Sequence, residues 1–554
     1  MHTALLETAR QWAEHDPDPK TKAEILALIA AQDIPALQAA FHGPLAFGTA
    51  GLRAPVGAGE SRLSRAVVIR TTYGLVSWLK EKIGAAPKIV IGCDARYGSA
   101  DFYKDAAEVI SAAGGTALIL PPQNPTPLTA FTVKKLSCDA GIMVTASHNP
   151  PADNGYKVYL GGRVEIGAGE GVQIVPPADK EIAAAIAAAP FADEIARNRD
   201  NIQEIDTRAA YLERALQLAS PAGGTAAASI VTIALTAMHG VGAKLGEELL
   251  SRAGYQVSLV PEQAEPDPDF PTVSFPNPEE PGALDLSKTH AQRIGGDVII
   301  AYDPDADRCA VATPDTNAAN GWRQLTGDEL GALLGDYLAS RKPAGAFANS
   351  IVSGRLLSKI AAGYGRPHTA TLTGFKWIAR TPELVYGYEE AIGYCCDPQA
   401  VADKDGISTS LVVAAMVADL KASGSNLDEA LDNIYRKHGF YHTAPLTFRV
   451  EDLQLIADGM SKLRANPPQE LAGAAVVEVR DMAKDELGIG ATEGMYFRSS
   501  ADDRVICRPS GTEPKLKCYL EVVLPVGADG IIPKAAAKER IAQIAAELRT
   551  FLDI

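Results

Sequence analysis

Between an apolar run, Ala140 to Val144, and the pair Pro150-Pro151 lies the pentapeptide Thr145-Ala-Ser-His-Asn149. The run reads as a short buried strand, and the two prolines stop any regular element after it. The residues between them therefore form a loop that presents hydroxyls. Serine is a poor nucleophile unless something activates it. His148 is adjacent in sequence to Ser147, and neighbouring side chains of an extended segment point opposite ways, which argues against a Ser–His hydrolase pair. No Gly-x-Ser-x-Gly elbow surrounds the serine either. Two readings of Ser147 stay open: a turn closed by a Ser/Asn hydrogen bond, or a carrier of a phosphoryl group held beside a metal. The second needs carboxylates and cations from elsewhere in the chain.

Both occur. Asp303-Pro-Asp-Ala-Asp-Arg308 follows a strand-like run, Asp297 to Tyr302. Three aspartates at i, i+2 and i+4 supply hard oxygen ligands, and Mg²⁺ favours few protein ligands plus water or phosphate. An EF-hand is excluded, because Arg308 occupies its glycine position and Pro314 its glutamate position. A solvated Asp-rich turn is the alternative for this loop by itself. Phe47-Gly-Thr-Ala-Gly-Leu-Arg53 delivers one arginine from a glycine-flanked loop. Thr373-Gly-Phe-Lys-Trp377 offers an ammonium and an aromatic surface, suited to a phosphate or a pyranose face. Tyr388-Glu-Glu-Ala-Ile-Gly393 offers adjacent carboxylates for vicinal hydroxyls. Arg508-Pro-Ser-Gly-Thr-Glu-Pro-Lys515 combines a guanidinium, hydroxyls, a glycine and an amine, the parts of a phosphate cradle. It lacks the Gly-Lys-Ser/Thr order of a P-loop, and Gly167-Ala-Gly-Glu-Gly171 lacks the strand–helix setting of a dinucleotide fingerprint.

Taken together, these motifs resemble those of the α-D-phosphohexomutases, the family of phosphoglucomutases and phosphomannomutases. Thr-Ala-Ser-His-Asn-Pro resembles the phosphoserine loop, and Asp-Pro-Asp-Ala-Asp-Arg resembles the metal loop residue for residue. The resemblance implies that Ser147, His148, Lys157, Arg53 and Arg308 serve catalysis. It implies that Mg²⁺ is held by Asp303, Asp305 and Asp307 together with the Ser147 phosphate. It further implies sugar binding by Thr373, Gly374, Lys376, Glu389 and Glu390, and phosphate binding by Arg508, Ser510, Gly511, Thr512 and Lys515. The implied reaction interconverts glucose 1-phosphate and glucose 6-phosphate through a phosphoserine enzyme, with glucose 1,6-bisphosphate as intermediate and activator.

The sugar loop departs from the family's usual Gly-Glu-x-Ser: Tyr388 stands where Gly is usual and Ala391 where Ser is. Glu-Glu-Ala-Ile-Gly followed by Asp403-Lys-Asp-Gly406 resembles the branch containing phosphopentomutase and glucose-1,6-bisphosphate synthase. Phosphopentomutase, on ribose or deoxyribose phosphates, and phosphomannomutase are therefore the alternatives within the family. A non-catalytic phosphosugar-binding protein is the alternative outside it, and the intact Ser, Asp and Arg motifs count against that. A phosphoserine hydrolase would want a second cluster of metal ligands, and one metal loop is seen.

The elements that must position these loops read as α/β. A strand (Lys88 to Gly92), a helix (about Ala100 to Ala113) and a strand (Thr116 to Leu120) form a βαβ unit. Tyr156 to Leu160 and Arg163 to Ile166 flank Gly161-Gly162 as a β-hairpin. The Ala-rich stretch from Asp179 to about Leu218 reads as helix and crosses a domain boundary near residue 205. A second unit has strands Ser229 to Thr236 and Gln256 to Val260 around a helix from Gly242 to Ala253, then a proline-rich surface loop, Glu262 to Pro281. Thr326-Gly-Asp-Glu329 is a capping box for a helix over Asp328 to Ser340. From about Phe440 the pattern turns to α+β. The expected domains are 1–205, 206–315, 316–439 and 440–554. The resemblance implies three similar α/β domains and a smaller C-terminal α+β domain around a central active-site cleft. Residues 1 to about 40 read as surface helices, with Leu26, Ile29, Ala30 and Ile34 at helical spacing.

A net charge of −16 argues against a general nucleic-acid surface. Seven scattered cysteines without a Cys-x-x-Cys pair fit a reducing cytoplasm better than a disulfide framework. The first residues do not read as a signal peptide, and no apolar run reaches membrane-spanning length. The expectation is a cytoplasmic protein whose partner is a small phosphosugar, with no nucleic acid and no membrane.

Overall fold

The computed structural model describes residues 2–48, 51–450, 452–509 and 515–553. The chain forms two compact units, one running to Leu325 and taking in Gly393–Ala422, the other made of Thr326–Ile392 and the chain from Ser423 onward.

In the first unit, one sheet contains β1 (Leu52–Pro55), β2 (Lys88–Cys93), β3 (Thr116–Ile119), β4 (Ala140–Val144), β5 (Asp153–Leu160), β6 (Val172–Gln173) and β7 (Ile202–Glu204). Its order is β1-β5-β4-β2-β3-β7, with β6 paired to β5. β4, β2, β3 and β7 run parallel, and β5 pairs antiparallel with both β4 and β1. After Lys88, β2 is apolar and buried, as is all of β4, which central strands covered on both faces by helices must be. β5 instead alternates. Tyr156, Val158 and Leu160 join the core with Leu52 and Ala54 of β1. Lys157 and, across from Gly155, Arg53 therefore project from the opposite face. A slip of one residue would bury the wrong set, so the hydrophobic pattern fixes the register that aims these two cations.

The second sheet of this unit contains β8 (Thr232–Thr236), β9 (Gln256–Leu259), β10 (Val298–Tyr302), β11 (Cys309–Pro314) and β12 (Trp322–Gln324), in the order β12-β11-β10-β8-β9. β10, β8 and β9 are parallel, while β10 and β11 form a hairpin with Tyr302 opposite Cys309. The aspartate loop is thus the hairpin connection at the carboxyl end of β10. The helix Gly406–Ala422, buried throughout its first thirteen residues, belongs here too, and Tyr302 donates to Ser410 Oγ (2.7 Å). No single helix among the described residues is long and apolar enough to cross a membrane.

The second unit has the parallel strands β13 (Ala346–Ser350), β14 (His368–Thr371) and β15 (Leu384–Glu389), with β13 between the other two. Loops leaving their carboxyl ends share one edge, where open α/β sheets bind ligands. The capping box forms as expected: Thr326 accepts from Glu329 N–H and Glu329 from Thr326 N–H, and the helix covers Gly327–Ala339. The rest is an antiparallel sheet of Phe440–Arg449, Lys515–Leu524, Arg504–Pro509, Met495–Ser499, Ala474–Asp481 and Glu470–Leu471, in that order. The helices Leu453–Ala465 and Lys534–Leu552 pack on it.

The structure corrects several expectations. Arg163–Ile166 is not a strand; Arg163 ties back to Asp139 (2.6 Å), which holds the segment in a turn, and β5 pairs with Val172–Gln173 instead. The Ala-rich helix stops at Ala187 because Pro190 cannot continue it, and the chain then adds β7 to the sheet edge before a separate helix, Arg208–Leu216. Leu26 is 48% exposed while Ile25 is buried, so the N-terminal helix turns a different face inward. The helices Thr126–Lys135 and Asp285–Ile294 were not anticipated.

Candidate active site

Ser147 sits just past the carboxyl end of β4, 1% exposed. Its φ is +52°, a left-handed conformation that costs a non-glycine residue on the order of 1–3 kcal/mol unless its surroundings enforce it. The enforcement is visible. Ser147 N–H donates to Thr145 Oγ1 (2.9 Å). Arg96, beyond the carboxyl end of neighbouring β2, donates to the carbonyls of Ser147 (2.6 Å), Asn149 (2.6 Å), Pro150 (2.8 Å) and Asp153 (3.1 Å). Phe270 lies 5.0 Å from the same guanidinium.

The Ser147 hydroxyl donates to Asp303 Oδ2 at 2.6 Å. Asp303, Asp305 and Asp307 are all buried, and one carboxylate oxygen from each lies within 4.8 Å of the others. Their outer oxygens are taken. Lys157 Nζ lies 2.8 Å from Asp305 Oδ2 and 2.9 Å from Asp307 Oδ2. Thr126 Oγ1 donates to Asp305 Oδ2 (2.6 Å), and Lys404 Nζ is 3.3 Å from Asp307 Oδ2. Among the described residues, the second oxygens, Asp305 Oδ1 and Asp307 Oδ1, are buried with no hydrogen-bond partner, the latter 3.9 Å from Arg308 Nε.

Buried carboxylate oxygens without a donor are costly, and this set of hard oxygens beside the Ser147 hydroxyl fits a divalent cation. The electrostatics agree. Burial, then the charges of Asp305 and Asp307, hold Asp303 well above the usual carboxylate range. Burial raises Asp305 as well, but the Lys157 ammonium, with the Thr126 hydroxyl and the Arg53 charge, outweighs it and holds the group below that range. For Lys157, burial lowers the affinity for a proton and the two carboxylates more than restore it. It is therefore held as a cation, an acid rather than a base.

His148 lies closer to Ser147 than an extended loop would allow: its Nδ1 is 3.2 Å from Ser147 Oγ, because the left-handed turn at Ser147 swings both side chains to one side. The His148 ring also touches the Arg308 guanidinium and meets Phe275 edge to face, 6.3 Å between centroids. Arg308 Nη1 is 3.3 Å from Glu279 Oε2 and its Nε 3.5 Å from Asp303 Oδ2. Arg53 Nη1 donates to Asn149 Oδ1 (3.1 Å). The structure thus brings together Ser147, His148, Lys157, Arg53, Arg308, Asp303, Asp305 and Asp307 in one unit.

Several supporting residues escaped the sequence reading. Arg96, Thr126 and Lys404 were not singled out, although Cys93-Asp-Ala-Arg96 and Asp403-Lys-Asp-Gly406 carry charges at element ends. The Glu262–Pro281 segment, expected merely to cross the surface, supplies Phe270, Phe275 and Glu279 to the site. The turn after β8 packs on the aspartate loop so tightly that a Cβ on Gly240 would sit 2.4 Å from Pro304 Cα. Gly406 is equally constrained, with the Arg308 carbonyl 2.3 Å from such a Cβ.

In the second unit, Thr373 and Gly374 (φ +111°) lead into a one-turn helix, Phe375–Ile378, which carries Lys376. This loop leaves β14, and Glu389 closes β15 on the same edge. Glu390 is already engaged. Its Oε2 accepts from Ser350 Oγ (3.0 Å) and Ser353 Oγ (2.8 Å), and its N–H donates to Ser353 Oγ (3.0 Å), so it braces the loop from beneath. Tyr388 does not face a ligand: it is 1% exposed, stacks over Gly331 and donates to Asp328 Oδ1 (2.9 Å). Arg508 lies near the end of one strand and Lys515 begins the next, with Arg508 opposite Lys517. Ser510, Gly511 and Thr512 lie outside the described residues.

Four family models match the chain in order: phosphoglucomutase/phosphomannomutase α/β/α domain I over residues 44–193, domain II over 209–317, domain III over 326–438 and the C-terminal domain over 460–528. A probable phosphomannomutase of Haemophilus influenzae is 42% identical, covering 83% of this chain and 93% of its own. A phosphopentomutase of Mus musculus is 32% identical, covering 95% and 92%. A phosphoglucomutase of Staphylococcus haemolyticus is 33% identical, covering 87% and 91%. With its serine and aspartate loops joined by one hydrogen bond and all four domain types in sequence, the chain belongs to the phosphoglucomutase/phosphomannomutase family, the α-D-phosphohexomutases.

Proposed function

We propose that this phosphosugar mutase interconverts glucose 1-phosphate and glucose 6-phosphate, with Ser147 carrying the phosphoryl group through a glucose 1,6-bisphosphate intermediate. The observation that carries the reading is the 2.6 Å hydrogen bond from Ser147 Oγ to Asp303, beside two buried carboxylate oxygens that lack donors among the described residues. Mg²⁺ held by Asp303, Asp305 and Asp307 would supply the positive charge that phosphoryl transfer requires on the moving oxygens.

The chain's own residues do the rest. Asp303 orients the Ser147 hydroxyl. Arg308 and Arg53 offer guanidinium donors of the geometry that suits phosphate oxygens. His148 Nδ1, 3.2 Å from Ser147 Oγ, is within reach to accept and return the hydroxyl proton. Lys157 balances Asp305 and Asp307 and so keeps their inner oxygens turned away from it. Arg508, Ser510, Gly511, Thr512 and Lys515 are assigned to the substrate's standing phosphate. Thr373, Gly374, Lys376, Glu389 and Glu390 are assigned to the sugar, with Glu390 also holding that loop in shape. Domain limits of 1–205, 206–315, 316–439 and 440–554 go with this reading, as does a cytoplasmic location, which the seven free buried thiols suit.

The glucose assignment rests on Thr373-Gly-Phe-Lys376. Ala391 favours a second reading, phosphopentomutase, because a site without that hydroxyl has less means of rejecting a sugar that lacks its partner. The test is kcat/KM for the 1-phosphates of glucose, mannose, ribose and deoxyribose. Glucose 1-phosphate should be best, with measurable turnover of ribose 1-phosphate. A large preference for either pentose would replace the glucose reading with the second.

A further inference from the structure

We propose that Cys507 and Cys518 form a disulfide on exposure to peroxide and that this bond clamps the neck of the Arg508–Lys515 loop. The strands Arg504–Pro509 and Lys515–Leu524 pair antiparallel, and their register sets Cys507 opposite Cys518. Opposed residues of such strands have Cα atoms about 4.5–5.5 Å apart, inside the roughly 4.4–6.8 Å that a disulfide spans. Both side chains are on the buried face, and their sulfurs lie 3.0 Å apart. Two of the other thiols are engaged elsewhere: Cys395 donates to the Val401 carbonyl and Cys138 to the Thr132 carbonyl.

The chemistry balances with hydrogen peroxide as the oxidant. One thiolate attacks a peroxide oxygen, the O–O bond breaks, and a sulfenic acid and one water form. The second sulfur then attacks the sulfenic sulfur, the S–O bond breaks, and the oxygen leaves with both remaining protons as a second water. The contact with Cys518, and after it burial, holds the Cys507 thiol well above the usual range. Little thiolate is therefore present, so the site oxidises slowly and needs a small uncharged oxidant.

The consequence falls on the loop. Arg508 follows Cys507 immediately, and Lys515 precedes Cys518 by two intervening residues. Bond formation draws the sulfurs to about 2.05 Å, pinning the two strands that hold the loop's ends. The functional half of this inference rests on the assignment of that loop to the substrate phosphate.

The full-length protein is treated with hydrogen peroxide, its remaining thiols are alkylated, and it is digested without reductant. A Cys507–Cys518 linked peptide is expected, with a rise of about threefold or more in KM for the sugar 1-phosphate, as altered ground-state binding would give. Dithiothreitol should reverse both. Cys507→Ala and Cys518→Ala should each keep the reduced protein's activity and lose the response, and having two variants guards against one that fails to fold. Absence of the linked peptide while other thiols oxidise overturns the proposal. A linked peptide with unmoved KM overturns the clamp when Arg508→Ala does raise KM. If Arg508→Ala leaves KM unmoved as well, the assignment of the loop falls, and the clamp with it.

Discussion

At the scale of single residues the site is a problem in charge. Three buried aspartates face Lys157, Lys404 and Arg308, and two of their oxygens still have no hydrogen-bond donor among the described residues. Asp305→Asn should lower kcat by roughly 10²–10³, as loss of one transition-state electrostatic contact does. It also strips a buried lysine of half its pairing, which typically costs about 3–5 kcal/mol. Its kinetics should therefore be read below its lowered melting temperature; unchanged kcat there would show that the aspartates are only a turn. Asp328 gives a pH test. Burial foremost, with the charge of Glu390 adding to it, pushes this carboxyl up to about 6 from an ordinary 3.8, against hydrogen bonds from Gly354, Thr443 and Tyr388. A raised carboxyl favours folding when protonated, so its contribution is complete below about pH 4 and is lost as pH rises through about 6. Melting temperatures from pH 4 to 7 should fall more steeply for the wild type than for Asp328→Asn. Parallel curves would contradict the assigned burial of charge.

At the scale of elements, strand ends and loops do the positioning. Arg96 joins two loops by donating to four carbonyls around Ser147. Lysine cannot reproduce that planar fork. Arg96→Lys should lower kcat by about tenfold or more, through a misplaced Ser147, while KM stays near wild type, the pattern of a lost transition-state interaction. A raised KM with unchanged kcat would contradict the positioning role. By contrast, Thr326→Ala removes a capping box remote in function and should cost about 1 kcal/mol of stability without touching kcat; denaturant unfolding and kinetics together check this.

These elements also show what a sequence can disclose. The loops Thr145–Asn149 and Asp303–Arg308 were legible through their resemblance to the family's serine and metal loops, since each by itself reads equally as a turn, and β4 because an unbroken apolar run marks a central strand. Arg96 was not, because an arginine that caps carbonyls looks like any other surface charge until the fold brings four of them to it. The proline-rich segment up to Pro281 was misjudged because irregular chain has no period to read, yet it places Glu279 on Arg308. That Glu390 also accepts from Ser350 and Ser353 was hidden, because those two serines lie some forty residues away in sequence and gave no sign that they meet it.

For the whole molecule the claim is that one serine, held in a strained turn against an aspartate loop, passes a phosphoryl group to and from a sugar. Chelation of divalent ions should abolish turnover, and Mg²⁺ should restore it; full activity in excess chelator would remove the cation from the account. The most direct measurement is the intact mass and phosphopeptide map of the protein after incubation with glucose 1,6-bisphosphate, followed by a chase with glucose 1-phosphate. The account predicts one phosphate, on Ser147, that the chase transfers to sugar rather than water, with neither phosphate nor turnover in Ser147→Ala. Near-wild-type turnover by Ser147→Ala, or a phosphate mapped to another residue, would contradict it.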